Sequence, residues 1–212
     1  MTLTLDHLVF GTADLAHGIR WMRAALGVPP AAEGRHPQMG TINALWRIGS
    51  AYLEVIAIDR AAPPPPHPRW FALDTDQITD RIERTPRLVT WVVATDDMEA
   101  ARRQSPRDPG PARRFYRDRL HWHLTVPADG SIHHDGAFPS LIQWPQGVST
   151  PQATLPYSGL SLAEFRIAGA PELHNDLKAL GADHLITGFE PASETGFLVR
   201  IESPETGSVH LS

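Results

Sequence analysis

Leu88-Val89-Thr90-Trp91-Val92-Val93-Ala94-Thr95-Asp96-Asp97 lies without a gap over Leu5-Asp6-His7-Leu8-Val9-Phe10-Gly11-Thr12-Ala13-Asp14, pairing Thr95 with Thr12 and Asp97 with Asp14. Each stretch reads as an apolar strand running into a polar helix start, so the chain repeats a strand-helix unit. In the first copy Leu3, Leu5, His7 and Val9 alternate with Thr4, Asp6, Leu8 and Phe10, the pattern of a strand covered on both faces. Thr12 or Asp14 caps a helix in which Leu15, Ile19, Met22 and Leu26 form one apolar stripe, and Gly27 before Pro29-Pro30 ends it. Two β-like runs follow, Gly40 to Ile48 and Ala51 to Ile58, joined by Gly49-Ser50 as in a short hairpin. A further short strand is expected near Ala31 to Gly34.

After the second strand a helix is expected over Met98 to Gln104, then runs at Leu120 to Val126 and Pro139 to Trp144, with Leu120 to Leu124 matched to Ala44 to Ile48. A third copy starts at Leu160 to Ala168. It continues with a helix from Pro171, striped by Leu173, Leu177 and Leu180 and ended by Gly181, and with strands around Leu185, Phe197 to Ile201 and Val209 to Leu211. The fold class is therefore α+β, built from repeated β-α-β-β-β modules at about 1–60 and 87–146. The Pro-rich linker 61–86 joins them, and a partial third module at 157–212 packs on the region 1–156.

With 212 residues, 42% hydrophobic and 20% charged, the chain has the composition of a globular protein with a real core. A net charge of −5 gives nucleic-acid binding no electrostatic support. The absence of cysteine excludes disulfides, thiolate metal sites and a cysteine nucleophile. The start lacks a signal-peptide pattern and no apolar run approaches a membrane span, so the expectation is a cytoplasmic protein with no membrane partner. No phosphate loop, HExxH motif, nucleophile elbow or dinucleotide fingerprint is present.

Leu5-Asp6-His7-Leu8-Val9, Gly40-Thr41-Ile42-Asn43, Tyr52-Leu53-Glu54-Val55-Ile56, Arg69 to Asp74 and Pro139 to Trp144 occur in an order that resembles the glyoxalase-like branch of the vicinal-oxygen-chelate superfamily. The resemblance implies paired modules forming a half-open barrel whose concave face holds a divalent metal or a small ligand. It also implies either a monomer or a homodimer. Carried over by position, His7 and Glu54 are the metal candidates, for Zn, Ni, Mn or Fe. The second module offers Thr90 and Gln143, which are not usual ligands, and the third offers Glu164 and His210.

Beside a metal role, His7 also reads as a hydrogen-bonded core residue. His121 and His123, two apart on a strand, share a face and are candidates to complete a metal shell or to act as general acid and base. The same pattern, one large apolar residue between two polar ones, suits an outward pair with Trp122 in the core somewhat better. His36, Asn43, Arg47 and Gln143 are candidate substrate contacts, and His133-His134 lies in a loop by composition. Two functions follow. One is a metal-dependent lyase, isomerase or dioxygenase acting on a small oxygen-rich substrate; the other is a metal-free protein that binds or sequesters a small molecule.

Overall fold

The computed structural model describes residues 1–117 and 120–212. The first module is β1 (Leu3–Gly11), α1 (Leu15–Leu26), β2 (Ala32–His36), β3 (Thr41–Ile48) and β4 (Ala51–Ile58). Asp14 is the cap of α1, its side chain accepting from His17 N at 2.7 Å, and Gly27 closes the helix in the left-handed conformation at φ 74°. Gly18 sits where α1 crosses β4: a Cβ there would come within 2.7 Å of Val55 Cγ1, so only glycine allows this approach.

The Pro-rich linker leads through a 3-10 turn at Trp70–Ala72 into α2 (Asp76–Ile82). The second module is β5 (Arg87–Thr95), α3 (Met98–Gln104), β6 (Ala112–Arg117), β7 (Leu120–Thr125) and β8 (Ser140–Gln143). Strand β6 was not expected from sequence. Its run Ala-Arg-Arg-Phe-Tyr-Arg buries only Phe115, so it carries almost no alternation of polarity to read.

The eight strands form one sheet in the order β2-β3-β4-β1-β5-β8-β7-β6. The modules meet where β1 runs antiparallel to β5, and each first strand lies parallel to its own last strand, β1 to β4 and β5 to β8. The sheet curls until its edge strands β2 and β6 approach. Gln38 bridges this seam, donating to the Arg114 carbonyl at 3.3 Å and accepting from Tyr116 N at 2.9 Å.

The concave face carries Val9, Ile56, Val92, Trp122, Leu124 and Ile142 under the Trp70 to Leu73 segment. The convex face carries Leu8, Phe10, Trp46, Val55, Trp91 and Val93. Strand β1 departs from the simple alternation read from the sequence. Its pairing with β5 slips between Leu5 and His7, so a bulge at Asp6 leaves Leu3 and Leu5 on the convex side with Leu8 and Phe10. Asp6 and His7 then share the site on the concave side, as their hydrogen bonds show.

After the short helix α4 (Pro151–Thr154) come β9 (Ser161–Gly169), α5 (Pro171–Leu180), β10 (Gly188–Pro191), β11 (Gly196–Ser203) and β12 (Gly207–Leu211). The element order is that of the other modules, but the strand order is β10-β9-β11-β12, with β10 parallel to β9. This second sheet covers the convex face, where Phe165 meets Trp91 edge-on at 5.3 Å and Leu173, Leu177 and Leu180 fill in from α5. Glu164 pairs there with Arg200 at 3.3 Å, and His210 is exposed on β12, so neither reaches the concave face. Among the described residues, no helix is long and apolar enough to cross a membrane.

Because the two sheets share this core, Phe165→Ala is expected to cost about 3–5 kcal/mol. Denaturant unfolding should remain one transition by fluorescence and by circular dichroism. Two separate transitions would mean that the second sheet folds by itself.

Candidate ligand-binding site

The floor of the cup is a continuous polar chain. His7 Nδ1 lies 2.6 Å from Asp6 Oδ1, and its Nε2 lies 3.5 Å from Glu54 Oε2. Asp6 Oδ2 accepts from Trp144 Nε1 at 2.8 Å and from Gln152 Nε2 at 3.2 Å, so both of its oxygens are engaged. Glu54 Oε1 accepts from Asn43 Nδ2 at 2.5 Å, and Asn43 Oδ1 accepts from Arg117 Nη1 at 3.4 Å. Tyr52 stacks on the His7 ring at 4.5 Å. His36 is held by Thr41 Oγ1 at 3.1 Å and stands edge-on to Trp70 and Trp122.

Local structure explains this convergence. On β4, Tyr52, Glu54 and Ile56 turn inward while Leu53 and Val55 enter the convex core. On β3 the inward residue is Asn43, between Ile42 and Ala44. The pairing β1 to β4 sets Val9 opposite Glu54, which brings His7 diagonally to the carboxylate. The walls are Trp70, Phe71, Trp122, Leu124, Ile142 and Trp144, and the open space at the floor is about 30 Å³. One buried water needs roughly 10–15 Å³, so the floor admits a head group of a few heavy atoms.

Burial by itself would lower the His7 pKa, but the hydrogen bonds and charges of Asp6 and Glu54 outweigh it and raise it to about 9. Burial by itself would raise Glu54, yet the His7 hydrogen bond and charge, with His36 and Asn43, bring it down to about 2. His36 goes the other way: burial, with Arg117 and His7 adding to it against the pull of Glu54, lowers it to about 4. At neutral pH the floor therefore holds an imidazolium between two carboxylates, a neutral His36 and the Arg117 guanidinium. The Tyr52 hydroxyl is raised well above its usual value by burial and by the nearby Asp6 and Glu54, and stays neutral.

Of the residues picked from sequence, the fold brings His7, Glu54, Asn43 and His36 together. It does not bring the other four. Gln143 faces the convex side, where its Oε1 accepts from Met98 N at 3.3 Å and its Nε2 donates to the Asp96 carbonyl at 3.0 Å, fixing the start of α3. The residue that β8 turns inward is Ile142. Arg47 is spent on the Gly49 and Leu155 carbonyls, each at 3.1 Å. His121 and His123 lie on the outer face of β7, His121 against Tyr116, because Trp122 and Leu124 take the inner one. The match of Trp122 to Trp46 was thus out of phase: Trp46 faces the convex core and Trp122 the cup. His133 and His134 bond the Asp108 carbonyl and Asp176, away from the cup.

Asp6, Arg117, Trp144 and Gln152 were not foreseen. Strict alternation puts Asp6 on the face opposite His7, and Arg117 stands on a strand that the sequence reading did not include. The one signal present was Asp6 itself, a carboxylate inside an apolar strand beside a histidine.

The divalent ion implied by the sequence resemblance is tested by its donors. Among the described residues no set of three or more His, Asp or Glu side chains converges on a point. The inward position of β8 is apolar, and Thr90 spends its hydroxyl on the Gly136 carbonyl at 3.0 Å. Both nitrogens of His7 face carboxylates, and a guanidinium stands one residue from Glu54. A carboxylate on Nδ1 is usual for a metal-bound imidazole, so the Asp6 contact counts neither way; an ion at His7 and Glu54 would have only these two side-chain ligands among the described residues, and this set does not fit a resident one.

A family model described as Glyoxalase-like domain matches residues 5–181. A comparison with curated proteins gives no match. Among solved structures, a hypothetical protein from Staphylococcus aureus is similar over 99% of this chain and 84% of its own, with 14% identity and a TM-score of 0.61. A methylmalonyl-CoA epimerase from Streptomyces coelicolor aligns over 68% of this chain and 99% of its own, with 16% identity and a TM-score of 0.45. One from Mycobacterium tuberculosis aligns over 67% and 88%, with 20% identity and a TM-score of 0.42.

The shifts fix how stability depends on pH. His7 contributes fully below its ordinary 6.5 and loses that contribution as pH rises through about 9. His36, lowered from 6.5 to about 4, costs stability as pH falls through that interval. Glu54 contributes above 4.5 and loses that contribution as pH falls toward 2. The melting temperature should therefore peak near pH 6.5. His7→Gln should flatten the alkaline limb and His36→Gln the part of the acid limb just below the peak. An alkaline limb unchanged in His7→Gln would contradict the assignment.

Proposed function

The chain belongs to the glyoxalase-like domain family, and from the geometry of its cup we propose that it binds a small oxygen-rich molecule without a resident metal. The observation that carries this reading is that His7 and Glu54 are already locked to each other and to Asp6 and Asn43. Such groups suit fixed electrostatic contacts: the imidazolium presents positive charge to a ligand oxygen, and the Glu54 carboxylate accepts from a ligand hydroxyl. They suit proton transfer poorly. A general acid or base works best with a pKa near the working pH, and His7 at about 9 and Glu54 at about 2 stand well to either side of neutrality. The aromatic walls supply apolar contact around a polar head, the usual make-up of a small-molecule site.

The sequence reading of a metal-assisted lyase, isomerase or dioxygenase is the second possibility. One observation favours it. The 3.5 Å between His7 Nε2 and Glu54 Oε2 is also a span that two ligands take around an ion held at about 2.0–2.2 Å.

Elemental analysis separates the two. We expect purified protein to carry substoichiometric metal, and added Zn, Ni, Mn or Fe to leave its melting temperature unchanged. Stoichiometric metal that disappears in His7→Ala/Glu54→Ala would establish the metal reading instead. In calorimetry with a panel of small diols, hydroxy ketones, 2-oxo acids and 2-hydroxy acids, Glu54→Gln should weaken binding by roughly ten- to a hundredfold. No change in affinity would remove Glu54 from the site.

A further inference from the structure

The floor holds more donor capacity than its own acceptors use. Arg117 enters the cup from β6 across the seam, where its one hydrogen bond among the described residues is the 3.4 Å contact to Asn43 Oδ1. No carboxylate among the described residues lies within salt-bridge distance of it, although Glu54 is only one side chain away. Asn43 stands between them, donating to Glu54 and accepting from Arg117. The guanidinium is thereby kept from closing onto Glu54, and among the described residues its remaining N–H donors have no acceptor.

The backbone is fitted to this side chain. A Cβ on Gly34 of β2 would stand 2.8 Å from Arg117 Cδ and 2.9 Å from Asn43 Oδ1. Glycine at this edge leaves the passage through which Arg117 reaches the floor. In the wall of the cup, the indole Nε1 of Trp70 is likewise buried with no hydrogen-bond partner among the described residues.

We infer that Arg117, admitted by Gly34 and held off Glu54 by Asn43, is the specificity-determining residue of the cup and selects a small carboxylate with an oxygen on the neighbouring carbon. The carboxylate takes the guanidinium in a two-pronged contact, and the adjacent oxo or hydroxyl oxygen lies over His7 and Glu54. This inference rests on the proposed metal-free binding function and sharpens its ligand class.

The test uses calorimetric titration of the full chain with pyruvate, its neutral analogue pyruvamide, inorganic phosphate and the neutral diol propane-1,2-diol. The wild type should bind pyruvate at least tenfold more tightly than pyruvamide. Arg117→Gln should erase that preference, bringing the affinity for pyruvate down to that for pyruvamide. Gly34→Val, which crowds the arginine out without touching its charge, should reproduce the loss, with folding checked by circular dichroism.

Equal binding of pyruvate and pyruvamide by the wild type, or a preference that survives Arg117→Gln, overturns the inference and leaves the reading of the cup standing. Phosphate binding as tight as pyruvate and lost in Arg117→Gln overturns the choice of a carboxylate. If neither the anions nor the neutral oxygen compounds bind, the proposed function fails together with the inference.

Discussion

At the floor of the barrel one imidazole is shared by two carboxylates, all three shielded from water. A buried charge is tolerated only when it is paired and hydrogen-bonded, and removing one partner typically costs about 3–5 kcal/mol by leaving the other uncompensated. Much of the local structure follows from that constraint. Asp6 must face the same way as His7, its neighbour in sequence, which a regular strand forbids and a bulge permits. Trp144, just after β8, and Gln152, on α4, then satisfy the second oxygen of Asp6. Asn43 performs the same service for Glu54 from the next strand. Each polar atom brought to the floor recruits another, and the chain ends at Arg117 on the barrel seam.

The two modules share a scaffold and divide the work. The first supplies nearly all the polar floor: Asp6, His7, Asn43, Glu54 and His36. The second supplies apolar wall, Trp122, Leu124 and Ile142, and its polar residues at comparable places serve the backbone instead, Thr90 the Gly136 carbonyl and Gln143 the start of α3. The cup is therefore lopsided, with charge at one side and aromatic surface at the other. A ligand with a polar head and a compact apolar remainder is complementary to it. The second sheet takes no part in this surface. It buries the opposite face of the barrel, so that Trp91, behind the cup, packs on Phe165.

Most of the architecture is legible in the sequence because it depends on local signals. Asp14 and Gly27 bound α1, Gly181 ends α5, and Gly49-Ser50 joins β3 to β4, each by the chemistry of one or two residues. Half of the candidate site is legible for the same reason: His7, Glu54, Asn43 and His36 stand at inward positions of the first module. What stays hidden depends on register or on distant pairing. The bulge at Asp6 reverses the parity that alternation assumes, a slip of one residue in matching the modules puts Gln143 in the inward place of Ile142, and alternation around Trp122 leaves both faces open to the His121-His123 pair, which takes the outer one. Arg117 could not be placed until β6 was known to meet β2. That meeting is made by the curl of an eight-stranded sheet and by contacts such as those of Gln38, and neither leaves a periodic trace.

The state of the His7 ring separates a shared imidazolium from a metal ligand. Nitrogen NMR of protein carrying labelled histidine, assigned by comparison with His7→Gln and recorded at pH 7.5, reads whether each ring nitrogen bears a proton. Both His7 nitrogens protonated at that pH, with no change on adding Zn, is the predicted result. A neutral ring, or an Nε2 resonance that shifts with stoichiometric Zn, would contradict the shared imidazolium and the metal-free cup built on it.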